Sequence, residues 1–211
     1  MCAHYESVKD PKRLAQAFGV QPVAGVKDDV WPTYTSTFVR RPREAGGEAV
    51  PEREAVAGSF GLIPHWAQDT RIARQTYNAR SETVGEKASF RDAWRLGRFC
   101  IIPAEAIYEP DWRSGKAEPR RISRADGQPM GLAGIWTGWR SPQGEVLRSF
   151  SMLTIAADQH PLMSQFNRPE DEKRMVVVLP EHAYAAWLRA TAIEAAVYLR
   201  PYPAQGLRLE A

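Results

Sequence analysis

The chain has 211 residues and a mass of 23.7 kDa, with 44% hydrophobic and 25% charged residues, a globular balance that excludes disordered and fibrous classes. No run approaches the ~18 apolar residues of a membrane-spanning helix, and Met1-Cys2-Ala3-His4-Tyr5-Glu6 has no secretory core, so the expectation is a cytoplasmic protein. Lys and Arg total 28 against 25 Asp and Glu, and this net +3 permits a nucleic-acid partner without demanding one; the two cysteines, Cys2 and Cys100, exclude a disulfide scaffold and a four-cysteine zinc site.

Asp10-Pro11-Lys12 predicts the start of a helix, with Asp10 as cap, Pro11 in the first turn and Gly19 as the stop. Residues 24–53 hold several Pro, Gly and Thr and read as loop with short strands. Residues 55–63 read as strand and 86–96 as a helix stopped at Gly97. Strand signals then dominate. Residues 98–108 are apolar and aromatic; 119–124 and 130–137 flank an Asp126-Gly127 turn. Ser141-Pro142-Gln143-Gly144 gives a second turn before a strand at 147–156. A short buried strand at 176–179 precedes a helix opened by Pro180 and Glu181 and running through Trp187 and Leu188. There is no repeat and no composition shift that marks a boundary. The expectation is one α+β domain over residues 1–211, built around mainly antiparallel sheet.

Cys2 is the residue with the most distinctive chemistry. Initiator methionine is normally removed before a small residue, which would leave Cys2 at the terminus. An α-amine titrates at ~7.7–8.0 and a thiol at ~8.5, so both nucleophiles are partly available near neutral pH. The amine can condense with an aldehyde to an imine, and the thiol can close on the imine carbon to a five-membered thiazolidine. Alternatively the amine can serve as base for its own thiol. Position alone leaves an ordinary residue at a frayed terminus as an equal reading.

Four further segments narrow the choice: Phe60-Gly61-Leu62-Ile63-Pro64-His65-Trp66, Asn78-Ala79-Arg80-Ser81-Glu82-Thr83, Cys100-Ile101-Ile102-Pro103-Ala104-Glu105-Ala106-Ile107-Tyr108-Glu109, and Arg174-Met175-Val176-Val177-Val178-Leu179. With Met1-Cys2 in front, their order and spacing resemble the SOS-response-associated peptidase family of abasic-site processing proteins. The resemblance implies a barrel-like sheet flanked by helices. It also implies a monomer that binds single-stranded DNA carrying abasic sites, associates with the nucleoid when so bound, and needs no cofactor. The N-terminal cysteine would form a thiazolidine crosslink with the ring-opened sugar aldehyde, and the family description adds peptidase, hydrolase and lyase activities.

The resemblance assigns residues one at a time. Cys2 matches the nucleophile. Asn78 matches an asparagine that bonds the sugar or the N-terminus. Arg80, two residues on and on the same face of a strand, matches a phosphate-binding arginine. Glu109, selected over Glu105 because it follows Tyr108, matches a proton-transferring acid. Trp66 and Pro32 match two wedges beside the lesion. Three positions depart from the family pattern. His4 stands where an arginine that contacts DNA phosphate is common and matches a DNA-binding position, where it could still donate a hydrogen bond with a charge that depends on pH; Pro110 stands where an aromatic is common, and Asn167 aligns with a histidine, with His160 a weaker substitute. Asn167 can bond but cannot exchange protons near neutral pH. The basic run Arg113, Lys116, Arg120, Arg121 and Arg124 reads as a solvated hairpin face. Four histidines without ligand spacing argue against a metal. The main competing reading is an N-terminal-nucleophile amidotransferase, although its Cys-Gly-Ile opening is absent. A plain protease and a non-covalent DNA-binding module are further alternatives.

Overall fold

The apolar run that begins at Phe99 becomes the longest strand, and most of the sheet is assembled on it. The computed structural model describes residues 2–42 and 51–210. In chain order the elements are β1 (His4–Ser7), α1 (Pro11–Phe18), β2 (Asp29–Val30), β3 (Thr35–Arg40), β4 (Glu54–Phe60), β5 (Asn78–Arg80) and α2 (Arg91–Arg95). There follow β6 (Phe99–Asp111), β7 (Glu118–Arg124), β8 (Met130–Arg140), β9 (Val146–Ala156), β10 (Arg174–Val176), β11 (Val178–Leu179), α3 (Tyr184–Arg189), α4 (Ala192–Ala195) and β12 (Leu207–Leu209).

The first half of β6 pairs with β8 along Phe99–Ala104 and meets β3 at Val39 opposite Ile101. Because β3 continues to β4, β4 to β9 and β9 to β8, the five strands close into a barrel and the ring has no open edge. The second half of β6 leaves the ring and carries β1 and β7 on its two sides. Pairing is antiparallel except where β9 runs parallel to β4 and β5. The barrel interior is filled by Phe38, Phe60, Phe150, Ile102, Leu132 and Met152, all fully buried. Trp187 of α3 closes one side, and its indole N–H donates to the Cys100 carbonyl at 2.8 Å. Cys100 is buried in this wall, and burial pushes its thiol well up, so it is a packing residue.

Several local expectations hold, each through a contact within its own turn. Asp10 accepts from the Lys12 amide at 2.8 Å, and Gly19 ends α1 with φ 69°. Gly127 and Gly144 turn the two hairpins with φ 73° and 90°. Others need correction. The helix expected over 86–96 is only α2; residues before it form successive turns in which the Thr83 and Lys87 carbonyls each accept two amides. Gly85 and Ser89 are weak helix formers, and that stretch lacks a side-chain cap. β6 runs to Asp111, past Tyr108, because β7 supplies partners that far. Glu109 therefore lies within a strand. The helix expected from Pro180 begins as a 3-10 turn over Glu181–Ala183 before α3. β1 and β12 are additional strands, and β5 is the short alternating strand on which Asn78 and Arg80 share a face. In the loop expected over 24–53, β2 and β3 are the short strands, and residues 43–50 lie outside the described residues. Among the described residues, no helix is long and apolar enough to cross a membrane.

Gly61 ends β4 with φ 120°, where a Cβ would run into the backbone of Ala73. This close approach sets the exit of the 62–66 segment from the barrel. Gly61→Ala combines a disfavoured backbone with a backbone clash. Urea unfolding should show a loss of about 2–4 kcal/mol; a loss below about 0.5 kcal/mol would mean that the turn relaxes freely.

Candidate functional site

Cys2 lies just ahead of β1, whose register sets His4 opposite Tyr108 and so carries the chain start toward the Glu109-Pro110 end of β6. Cys2 is 1% exposed, and its thiol donates to the His4 carbonyl at 3.4 Å. The Asn78 side-chain N–H donates to the Cys2 carbonyl at 2.7 Å. Asn78 reaches that position because β5 pairs with β9 in parallel, with Ala79 turned into the core. Asn78 Oδ1 is buried and has no hydrogen-bond partner among the described residues. A buried acceptor left unbonded costs about 1–3 kcal/mol, so this oxygen is poised for a donor brought by a ligand or by a freed amine.

Glu109 is buried beside this pair. The Asn167 amide N–H donates to its Oε2 at 3.4 Å, and the Asn167 backbone N–H donates to the Pro110 carbonyl at 2.8 Å. Asn167 itself sits at φ 64°, a left-handed conformation that asparagine tolerates better than most residues. Burial pushes the Glu109 carboxyl up to about 7, while the Asn167 hydrogen bond pulls the other way. Burial also pushes the Cys2 thiol far up, and the Glu109 charge acts in the same direction. The charges of both act on Tyr77, although burial is the larger reason its phenol is raised. The thiol is therefore held neutral, beside a carboxyl poised to exchange protons near neutral pH. Glu105, the competing glutamate, is held by a two-pronged bond from Arg13 at 2.9 and 2.8 Å.

Arg80 is on the Asn78 face of β5 and is half exposed, with its guanidinium 2.9 Å from Glu172. Glu172 also accepts from Arg174 at 2.7 Å, and Arg174 holds Glu82 at 2.8 Å and both the hydroxyl and the carbonyl of Thr154. Lys173 folds the intervening loop by donating to the carbonyls of Phe166, Asn167 and Arg168. Glu172, Lys173 and Thr154 are site residues that sequence reasoning missed. The only signal for Glu172 was its place two residues before Arg174.

His4 is sandwiched between Trp31 and Tyr108, with ring centroids 4.1 Å away on each side, and its Nε2 bonds Asp29. That bond holds the Asp29 carboxyl below its usual range. His4 thus joins the Trp31-Pro32 turn to β6. Trp66 is 47% exposed, and its indole N–H donates to the Ala88 carbonyl at 3.2 Å, which leaves much of the ring open to solvent. His160 lies outside the cluster: its Nδ1 accepts from Leu162 and Met163, and its Nε2 bonds the Tyr202 carbonyl. Arg113, Arg120, Arg121 and Arg124 all pair with carboxylates, as a hairpin face does. Among the described residues no three His, Cys, Asp or Glu side chains gather as a metal would require.

Beside a closed barrel, the start of β1 brings together a cysteine, a buried carboxyl and two side-chain amides. The chain belongs to the SOS response associated peptidase (SRAP) family, whose model matches residues 1–211. It is 34% identical over 130 residues to the Bacillus subtilis abasic site processing protein YoqW, a match covering 61% of this chain and 54% of that one. It is 27% identical over 125 residues to the Xenopus tropicalis abasic site processing protein HMCES, covering 49% and 37%. The chain thus spans about half or less of the length of these curated relatives. A crystal structure of a protein from Bordetella bronchiseptica matches with a TM-score of 0.90 and 47% identity, covering 99% of this chain and 98% of that one.

Glu109 yields a pH test. Its folded carboxyl is raised above the ordinary ~4.3, so between that value and about 7 the folded protein holds a proton that the unfolded chain has lost. Its contribution therefore falls as pH rises through this window. From pH 5 to pH 8 the wild type should lose about 2–3 kcal/mol more unfolding free energy than Glu109→Gln. Parallel pH profiles from urea titrations of the two proteins would contradict the buried, protonated carboxyl.

Proposed function

We propose that this protein processes abasic sites, binding single-stranded DNA and capturing the ring-opened sugar aldehyde on Cys2 as a thiazolidine. The observation that carries the reading is the convergence of Cys2, Asn78, Glu109 and Asn167, residues far apart in sequence, at the start of β1. The names of the curated relatives support the substrate.

Capture requires that Met1 be removed, because the Cys2 amine is otherwise held in a peptide bond. The chemistry then derives from the environment. An abasic sugar is mostly closed, and opening it needs a proton on the ring oxygen. A carboxyl titrating near 7 supplies that proton at neutral pH and can take one back. The α-amine of Cys2 attacks the aldehyde carbon, a C–N bond forms and one water leaves, giving an imine. The thiol then adds to the same carbon, forming the C–S bond as the C=N π bond breaks and closing the five-membered ring, while the thiol proton passes by way of the Glu109 carboxylate to the ring nitrogen. Amine-first order suits a thiol that burial keeps neutral. Asn78 holds the Cys2 carbonyl, and its free Oδ1 can accept from the ammonium or a sugar hydroxyl. The aldehyde is the electrophile, so no cofactor enters. Arg80 takes a backbone phosphate, while Trp66 and Pro32 face the flanking bases. One chain supplies every group named, which supports action as a monomer.

Asn167 bears on release of the captured strand. It can hold Glu109 and the sugar, but it cannot relay the proton needed to reopen the ring. We therefore assign the protein to durable capture with slow release, and limit peptidase action to loss of its own Met1.

Mixed with single-stranded DNA containing an abasic site, the protein should give a DNA-dependent shifted band on a denaturing gel. Cys2→Ala and an added N-terminal tag should abolish it, and Glu109→Gln should slow its appearance about 100-fold. No band from wild type at any near-neutral pH would overturn the reading. Hydrolysis of free glutamine instead would point to an amidotransferase. A second outcome concerns release: Asn167→His should speed reversal of the purified crosslink, and equal release rates from the two proteins would remove the role assigned to Asn167.

A further inference from the structure

Arg80, the cation assigned to phosphate, is already occupied. Its guanidinium lies 2.9 Å from Glu172, and the same carboxylate is braced from behind by Arg174 at 2.7 Å. Arg174 is 2% exposed and is itself fixed by Glu82 and Thr154, so Glu172 is held on a rigid anchor. The loop that carries it is equally constrained. Lys173 bonds three successive carbonyls, and Asn167, earlier in the same loop, is tied to Pro110 and Glu109. Arg80 and Glu172 are each about half exposed at the solvent side, so an incoming phosphate can reach the guanidinium without unfolding anything.

We propose that Glu172 acts as an internal stand-in for phosphate, competing with the DNA backbone for Arg80 and so determining how weakly intact single strands are held. The inference rests on the proposed role of Arg80 in DNA binding. An exposed pair of this kind is worth about 0.2–1 kcal/mol, enough to tax a binding event severalfold without blocking it. The tax applies to every strand, damaged or not. A lesion offsets it through the covalent bond at Cys2, and an intact strand has nothing to offset it with. Glu172 is therefore a specificity-determining residue that touches neither the aldehyde nor the thiol.

The test uses the full chain and an undamaged oligothymidylate, with binding measured by fluorescence anisotropy at fixed salt. Glu172→Gln should tighten binding about three- to tenfold. Asp171→Asn removes the same charge from the adjacent exposed residue, which has no ion pair among the described residues, and should tighten binding less than twofold. Glu172→Asp keeps the charge but withdraws the carboxylate by one methylene. It should also tighten binding more than Asp171→Asn does, which guards against a folding defect in the amide variant. In an Arg80→Ala background, Glu172→Gln should have no more effect than Asp171→Asn. Equal tightening by Glu172→Gln and Asp171→Asn, or a Glu172 effect that survives loss of Arg80, would overturn the proposal. Those outcomes leave the capture reading intact if wild type still crosslinks abasic DNA. Absence of both binding and crosslinking would remove the capture reading and this proposal together.

Discussion

The site is held in register by one buried cation. Arg174 lies at the start of β10 and is almost wholly enclosed, yet its guanidinium reaches the segment after β5 through Glu82, β9 through Thr154 and its own loop through Glu172. A charge in that position is tolerable only if its hydrogen bonds are met, and removing a partner from such a group is strongly destabilising. The geometry therefore forces three segments to keep fixed positions. β5 carries Asn78 and Arg80, β9 is the barrel strand on which β5 rests, and the loop carries Asn167 and Glu172. Asn78 meets Cys2 and Asn167 meets Glu109, so the relative placement of the N-terminus and the acid depends on a residue that bonds neither.

Burial then sets the chemistry. The same enclosure raises both the Cys2 thiol and the Glu109 carboxyl, and the consequences differ because the two start from different ordinary values. The thiol, already neutral at physiological pH in a free peptide, is pushed further from ionisation and is a poor attacking group on its own. The carboxyl is brought from always ionised to nearly half protonated, which is the state a proton shuttle needs. In the proposed capture, a carboxyl that has given its proton to the sugar becomes the carboxylate that can take one from the neighbouring thiol. Asn78 contributes without titrating. It fixes the Cys2 carbonyl and leaves an unsatisfied oxygen, a preorganised acceptor whose cost is borne by the folded state.

What the sequence made legible depends on the range of the interactions involved. α1 could be read because Asp10, Pro11 and Gly19 act within their own turns, and the hairpins because Gly127 and Gly144 do the same. Glu109 was selected over Glu105 by its place after Tyr108 in the family motif; their different surroundings, one buried and the other paired with Arg13, are set by strand pairing and were not legible. β1 was invisible as a strand, since a segment so short carries no period; it exists because β6 offers an edge to pair with. The barrel was expected from the resemblance alone; no local pattern reveals its closure, which rests on one register pair between Val39 and Ile101. Glu172 was missed because its importance lies in Arg80, which is distant in numbering. The stack of His4 between Trp31 and Tyr108 and its bond to Asp29 were not legible in the sequence, because both depend on the turn at Trp31-Pro32 folding back onto β6.

The weak net charge of +3 now has a structural counterpart. Many of the arginines that a sequence count would credit to DNA binding already face carboxylates: Arg13, Arg40, Arg80, Arg113, Arg120, Arg121, Arg124 and Arg174. Such pairing flattens the field that would otherwise steer the protein to any phosphate backbone. An abundant electrostatic ligand is thereby avoided, and discrimination passes to a feature that intact DNA lacks. An aldehyde offers that feature, because only a carbonyl carbon can accept first an amine and then a thiol from the same residue. A strongly basic surface would retain the protein on undamaged strands and dilute it away from lesions. Under the proposed function, a surface whose cations are internally matched would leave the protein free until the chemistry at Cys2 held it.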